Sequence, residues 1–264
     1  MTLTGIDFGK LYRDQMTKAG GKEKPASAWD ARAPEMQKRH GDSDYIRAFI
    51  ELTNTHGCES VLDMGCGTGA IGLALAPYMN EVIGVDYSSG MLNAFERNAL
   101  AQGQTNTRTL QRAWEDNWND IPRCDLVIAS RSTTVMDMAD ALAKLDRTAN
   151  KRVCITNLVG GSFIDGGLIK AIGREVKRIP DYIYILNILY QMGRHPRVDY
   201  IQAKGRLAGA ANVDEFVHKA GFSLGPLSAQ ETQRMRDWYH ADPERAARGG
   251  EGFKWAFISW DTGN

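Results

Sequence analysis

The hydrophobic pattern changes period near residue 60. Upstream, Phe8, Leu11, Tyr12 and Met16 recur every three or four residues. The segment Trp29-Asp30-Ala31-Arg32-Ala33 and the run from Asp44 to Ile50 continue this helical spacing. Between the first two pieces, Gly20-Gly21-Lys22-Glu23-Lys24-Pro25 predicts a flexible polar joint. From residue 60 the chain alternates short apolar runs with amphipathic segments. The alternation predicts strands near 60–64, 82–86, 107–111, 125–130 and 152–158, with helices near 70–78, 89–101 and 137–148. This order specifies an α/β fold, a doubly wound and mostly parallel sheet covered on both faces. Right-handed crossovers in such a sheet place a ligand at the carboxyl ends of the strands.

Beyond the fifth strand, Asp165-Gly166-Gly167 is expected to open a helix carrying Leu168, Ile172, Val176 and Ile179 on one face. A second helix follows Pro180, with Asp181 as its cap, and is apolar almost all round from Tyr182 to Met192 before Gly193 ends it. Such a helix needs cover on several sides, so it either completes a pocket or meets another subunit, as a homodimer through 181–193. Residues Arg197 to Ala203 alternate as a sixth strand, and Asn212 caps a helix expected to end at Gly221. Gln230 to Arg248 reads as a charged amphipathic helix broken near Pro243, and Phe253 to Trp260 as the last strand. The expected organisation is a helical cover over 1–50 and one domain over 51–264 with a helical insertion at about 162–195. Neither an internal repeat nor a second core is expected.

The chemistry centres on the end of the first strand, Val61-Leu62-Asp63-Met64-Gly65-Cys66-Gly67-Thr68-Gly69-Ala70. Glycines in a strand-to-helix turn let the backbone approach a ligand, and the helix behind aims free N–H groups at it. The third glycine comes one position earlier than in the dinucleotide fingerprint, and an acid sits two residues before the first. Asp63-x-Gly65-x-Gly67-x-Gly69 resembles the first motif of the class I S-adenosylmethionine-dependent methyltransferases. The next strand, Glu81 to Val85, ends in Asp86 and is followed by Tyr87-Ser88-Ser89-Gly90-Met91. The resemblance implies a seven-stranded Rossmann-like methyltransferase fold with the last strand antiparallel. It implies S-adenosylmethionine as cofactor and S-adenosylhomocysteine as product. It also implies a cofactor site drawn from Asp63, Gly65, Cys66, Gly67, Asp86, Tyr87, Met91, Ala113, Trp114 and Ser130, with Asp86 and Tyr87 holding ribose and adenine.

The sequence departs from the family where the third strand ends. Ala113 or Trp114 stands in place of the usual acid, with Glu115 and Asp116 just behind, so Trp114 either stacks on adenine or caps the sheet edge. After the fourth strand comes Ser130-Arg131-Ser132-Thr133-Thr134 in place of the Asn/Asp-Pro-Pro-Tyr/Phe motif of DNA amino-methyltransferases. Arg131 is either an anion ligand or a solvated loop charge. The resemblance makes the amino-terminal helices a lid, with Tyr12 and Trp29 as its acceptor-side candidates; otherwise these aromatics simply cover the sheet.

Composition narrows the partners. The 264 residues carry 32 Lys+Arg against 32 Asp+Glu, so no global basic field recruits nucleic acid. Cys58, Cys66, Cys124 and Cys154 show no metal-ligand spacing, which predicts no metal, buried thiols and a reduced, cytoplasmic compartment. His40, His56, His195, His218 and His240 have no partner at a telling spacing. The longest apolar run, Tyr182 to Tyr190, is far short of the roughly 20 residues of a membrane span. The expected activity is methyl transfer to a small molecule. RNA or protein methylation and a non-catalytic cofactor-binding subunit are the alternatives, with a nicotinamide oxidoreductase more remote.

Overall fold

Parallel pairing builds the sheet outward from β1 (Ser60–Met64). It lies between β2 (Glu81–Asp86) and β4 (Cys124–Ala129), in register Leu62 to Ile83 and Leu62 to Val127. β3 (Thr107–Gln111) extends β2, and β5 (Ala149–Leu158) extends β4, both in parallel. With β6 (Arg197–Ala203) and β7 (Phe253–Asp261) the order is β3-β2-β1-β4-β5-β7-β6. β7 runs antiparallel to β5: Thr262 N–H donates to Lys151 O and Val159 N–H to Lys254 O, so one number falls as the other rises. The computed structural model describes residues 5–20, 24–38 and 43–263. Positions 21–23 of the expected polar joint, and His40, lie outside the described residues.

The chain divides into two compact units. The first comprises residues 1–157, 182–199 and 256–264. Its core is the continuous apolar content of the central strands, Val61, Leu62, Ile83, Val85, Leu126, Val127, Ile128, Val153 and Ile155, all fully buried, as a sheet covered on both faces requires. The predicted helix at 70–78 is shorter than expected. α5 (Gly72–Leu75) passes into a 3-10 turn at Ala76–Tyr78, where Pro77 has no N–H to continue the α-helical ladder. α6 (Ser89–Ala101) and α7 (Met138–Thr148) follow the predicted bounds, capped by Ser88 and Asp137.

Ahead of the sheet lie α1 (Phe8–Lys18), α2 (Ala26–Asp30), α3 (Ala33–Lys38) and α4 (Asp44–Leu52). Phe49 of α4 is fully buried with its ring 5.1 Å from Phe257, edge to face. Burial of that ring is worth about 1.5–3 kcal/mol. α9 (Tyr182–Gln191) buries Ile185, Ile188 and Leu189 and packs on α1 and α7, leaving Ile183 and Tyr190 exposed. No described helix is long and apolar enough to cross a membrane.

The second unit comprises residues 158–181 and 200–255. Here the structure departs from the sequence reading, because the unit has an apolar cluster of its own, with Leu168, Phe216, Ala220, Met235 and Ala246 fully buried. α8 (Gly166–Ala171) is less than half the expected helix. Gly173 turns left-handed (φ 84°), and Arg174 N–H closes onto Ile169 O, a glycine-terminated C-cap that leaves Val176 and Ile179 in irregular chain. α10 (Val213–Leu224) errs the other way and runs through Gly221; the left-handed stop comes at Gly225 (φ 77°). α11 (Ala229–Ala241) and α12 (Pro243–Ala247) break at Pro243 as expected. Arg174 ties the unit together by pairing with Glu231 and donating to Leu224 O and Pro226 O.

Candidate functional site

Three glycines make the turn after β1 geometrically possible. Gly65, Gly67 and Gly69 have φ of 70°, 53° and 89°, a region that residues with a Cβ enter only at a cost. At Gly65 a Cβ would also fall 2.3 Å from the Ser132 Cβ, so the loop after β4 rests directly on the turn. At Gly67 a Cβ would meet no protein atom within 4 Å, which leaves that face of the turn open. The N–H groups of Gly65 and Cys66 both donate to Val85 O at 2.7 and 3.0 Å, locking the turn to β2.

Two buried acids flank the turn. Asp63 is 2% exposed and accepts from Gly72 N–H at 3.0 Å. Asp86 is buried and accepts from Gly67 N–H at 3.0 Å and Ser88 N–H at 2.9 Å. Burial pushes the Asp63 carboxyl up to about 7, the Gly72 hydrogen bond opposing this and the Asp86 charge adding to it. Burial likewise raises Asp86, against the opposing effect of its backbone donors, and holds the Cys66 thiol well above its usual range. Positive charge on a ligand beside the turn would favour the ionised form of both carboxyls, against the burial that raises them.

Tyr87 is half-buried, and its hydroxyl donates to Lys24 O at 2.8 Å. Met91 is buried in a cluster with Ala33 and Ala94, against which Trp29 and Met36 pack. Asp30, which the sequence reading does not single out, fastens α2 to the start of α6 by accepting from Ser88 Oγ at 2.6 Å and Gly90 N–H at 2.8 Å. Its carboxyl lies below the usual range because of those two donors. Tyr12 is buried: 2% exposed, it donates to Val135 O at 3.0 Å and meets Tyr184 edge-on at 6.2 Å.

At the end of β3, Asp116 is engaged by Ala113 N–H at 2.8 Å, and Ala113 O accepts from Trp118 Nε1 at 3.0 Å. Trp114 is half-buried with its ring 5.4 Å from that of Trp118, and its carbonyl accepts from Lys144 Nζ at 2.6 Å.

The end of β4 carries the polar network that sequence reasoning covers least. Tyr45 from α4 reaches Ser130 Oγ and Thr156 Oγ1, each at 2.8 Å. Arg131 N–H donates to Thr156 Oγ1 at 2.9 Å, Ser132 Oγ to Met64 O at 2.7 Å and Thr133 Oγ1 to Thr156 O at 2.8 Å. The Arg131 guanidinium lies 4.3 Å from the centre of the Tyr45 ring. Ser130 and Arg131 were visible as a strand-end pair; Tyr45 and Thr156 lie 85 and 26 residues from Ser130, and no local spacing joins them. Among the described residues no group of three or more His, Cys, Asp or Glu is placed to hold a metal ion. A recess of about 500 Å³ in the second unit, bordered by Ser162, Asp165, Arg178, Glu251 and Lys254, contains none of these site residues.

Residues 61–151 match the family model described as a methyltransferase domain. The chain is 35% identical to an uncharacterised protein of Haemophilus influenzae across 99% of both chains. Among solved structures it is similar to a candidate methyltransferase from Bacillus halodurans C-125, at 13% identity and a TM-score of 0.61 over 84% of this chain and 100% of that one. It is also similar to coclaurine N-methyltransferase bound to N-methylheliamine and S-adenosylhomocysteine, at 12% identity and a TM-score of 0.54 over 98% and 96% of the two chains.

Proposed function

Because this chain belongs to the class I S-adenosylmethionine-dependent methyltransferase family, we propose that it methylates a small-molecule acceptor by in-line displacement at the sulfonium. S-adenosylmethionine is its methyl donor. The residues at the strand ends suit that cofactor. The Gly67 face of the turn is open, and Asp86 spends one lone pair of each oxygen on Gly67 and Ser88 and keeps the others for ribose hydroxyls. In this reading Gly65, Cys66 and Gly67 line the amino-acid side, and Asp63 braces the turn from beneath by accepting from Gly72 N–H. Tyr87, Ala113 and Trp114 border the base, with Trp114 offering a ring face where the family carries an acid.

The bound cofactor supplies an already activated methyl group, so the protein's work is alignment and exclusion of water. The Tyr45 phenol is raised by burial and stays protonated at neutral pH, which makes it a hydrogen-bonding group rather than a base. The observation that carries the small-molecule reading is the fastening of residues 24–38 over the loop after β2, through Asp30 and the Tyr87–Lys24 bond. A cover at that point supports an enclosed site over an open groove for a polymer, and the zero net charge supports it further. In this reading residues 24–38 are the cover, and the strand ends of the first unit carry the site.

Parallel calorimetric titrations with S-adenosylmethionine, S-adenosylhomocysteine and NAD test the cofactor assignment. Binding of the first two without the third is expected. Methyl transfer is then compared between a panel of small amines and phenols and total RNA, and turnover confined to RNA would overturn the small-molecule reading.

A further inference from the structure

Arg131 has a conformation and a setting that a solvated loop arginine does not need. Its φ is 58°, and among the described residues it is the one non-glycine with a positive φ. A left-handed backbone at a residue with a long side chain costs about 1–2 kcal/mol and persists only where its surroundings enforce it. Here they do: its N–H is held by Thr156, the next residue is anchored to Met64 O, and Thr133 is anchored to Thr156 O.

The side chain is equally constrained. Its guanidinium stacks on the Tyr45 ring, which Ser130 and Thr156 fix from the far end through the hydroxyl. Arg131 is exposed, and no carboxylate among the described residues pairs with it. Asn157, at the same end of β5, keeps a buried Oδ1 without a donor while its Nδ2 reaches Thr133 at 3.2 Å. A network serving only the fold has no use for that cost. Ser132, joined to Arg131, packs against Gly65, so the loop presenting the cation rests on the cofactor turn.

A planar, oriented guanidinium with free donors matches a carboxylate or a phosphate in two parallel hydrogen bonds. We propose that Arg131, held on the Tyr45 platform, binds an anionic group of the acceptor, so that the enzyme's substrate is a small carboxylate or phosphate ester. This rests on the small-molecule methyltransferase reading above and adds the charge of the acceptor.

The test uses the full-length chain saturated with S-adenosylhomocysteine and three calorimetric probes: benzoate, phenyl phosphate and neutral benzamide. Wild type is compared with Arg131→Asn, which tolerates a left-handed backbone, and with Arg131→Lys, which keeps the charge without the fork. Wild type should bind at least one anion and not benzamide, with the stronger of benzoate and phenyl phosphate identifying the group. Arg131→Asn should weaken that binding by roughly 10- to 100-fold, Arg131→Lys by less, and the affinity for S-adenosylhomocysteine should stay unchanged in both. Equal binding of benzamide, an unchanged anion affinity in Arg131→Asn, or no anion binding into the millimolar range would each overturn the proposal. A fall in S-adenosylhomocysteine affinity would also overturn it, by assigning Arg131 to the cofactor's own carboxylate. If wild type fails to bind S-adenosylhomocysteine at all, the underlying functional reading fails first, and the two failures are thereby told apart.

Discussion

Replacing Asp63 by Asn probes the electrostatics of the glycine turn without removing its architecture, since the amide oxygen can still accept from Gly72 N–H. Asp63 titrates near 7 in the folded protein against 3.8 when exposed. The folded state therefore holds an extra proton between those values, and stability falls as pH rises through the window. The contribution is fully present below about pH 4 and lost above about pH 7. A shift of about three units corresponds to about 4 kcal/mol in total, of which about 3 kcal/mol is lost between about pH 5 and pH 8.5. The Asn variant has no proton to lose, and Asp86 titrates in both proteins and largely cancels. The variant should thus lead by about 1.5 kcal/mol at about pH 5 and by about 4 kcal/mol at about pH 8.5, so that its lead widens by about 3 kcal/mol. For a chain of this size that widens the gap in Tm by ~6–12 °C, readable by circular dichroism. A gap that is the same at both pH values would refute the assignment of a buried, proton-retaining Asp63.

Other consequences are separable from this one. Asp86→Asn should weaken S-adenosylhomocysteine binding by roughly 10- to 100-fold in calorimetry, because a carboxylate that accepts ribose hydroxyls loses lone pairs and charge; unchanged affinity would remove Asp86 from the site. Gly67→Ala should cost only about 1 kcal/mol of stability, since its Cβ meets no protein atom, and should cut cofactor affinity. Gly65→Ala should cost about 2 kcal/mol or more through collision with Ser132, and thermal unfolding of the two variants side by side checks the order. Asp30→Ala removes the acceptor for Ser88 Oγ and Gly90 N–H, so limited proteolysis within 24–38 should accelerate. Equal cleavage rates in the two proteins would show that Asp30 does not fasten the cover.

The strands and the glycine turn could be read from the chain because local chemistry dictates them. Apolar runs covered on both faces leave few alternatives to parallel strands, and Asp63, Gly65, Gly67 and Asp86 sit at spacings that only a strand-to-helix turn and the next strand end explain. Helix ends were less legible. Gly221 and Gly225 are equivalent as letters, but Leu224, between them, still packs on the second unit's core, and the left-handed turn comes only after it at Gly225. The second unit's core was illegible for a related reason: its buried residues are scattered over 164–246, and no single periodic segment announces a cluster assembled from such distant pieces.

What the sequence by itself determined is the glycine turn, a set of backbone conformations with two acids contributed by adjacent strand ends. What only the tertiary structure decided is how side chains from distant segments share a donor or a ring. It buried Tyr12 and Met91 in packing and gave Asp30 to the start of α6. It also brought Tyr45 from α4 beneath Arg131. The physical reason is range: glycine geometry and strand burial act over a few residues, whereas a guanidinium on an aromatic ring 86 positions away exists only once the sheet has closed.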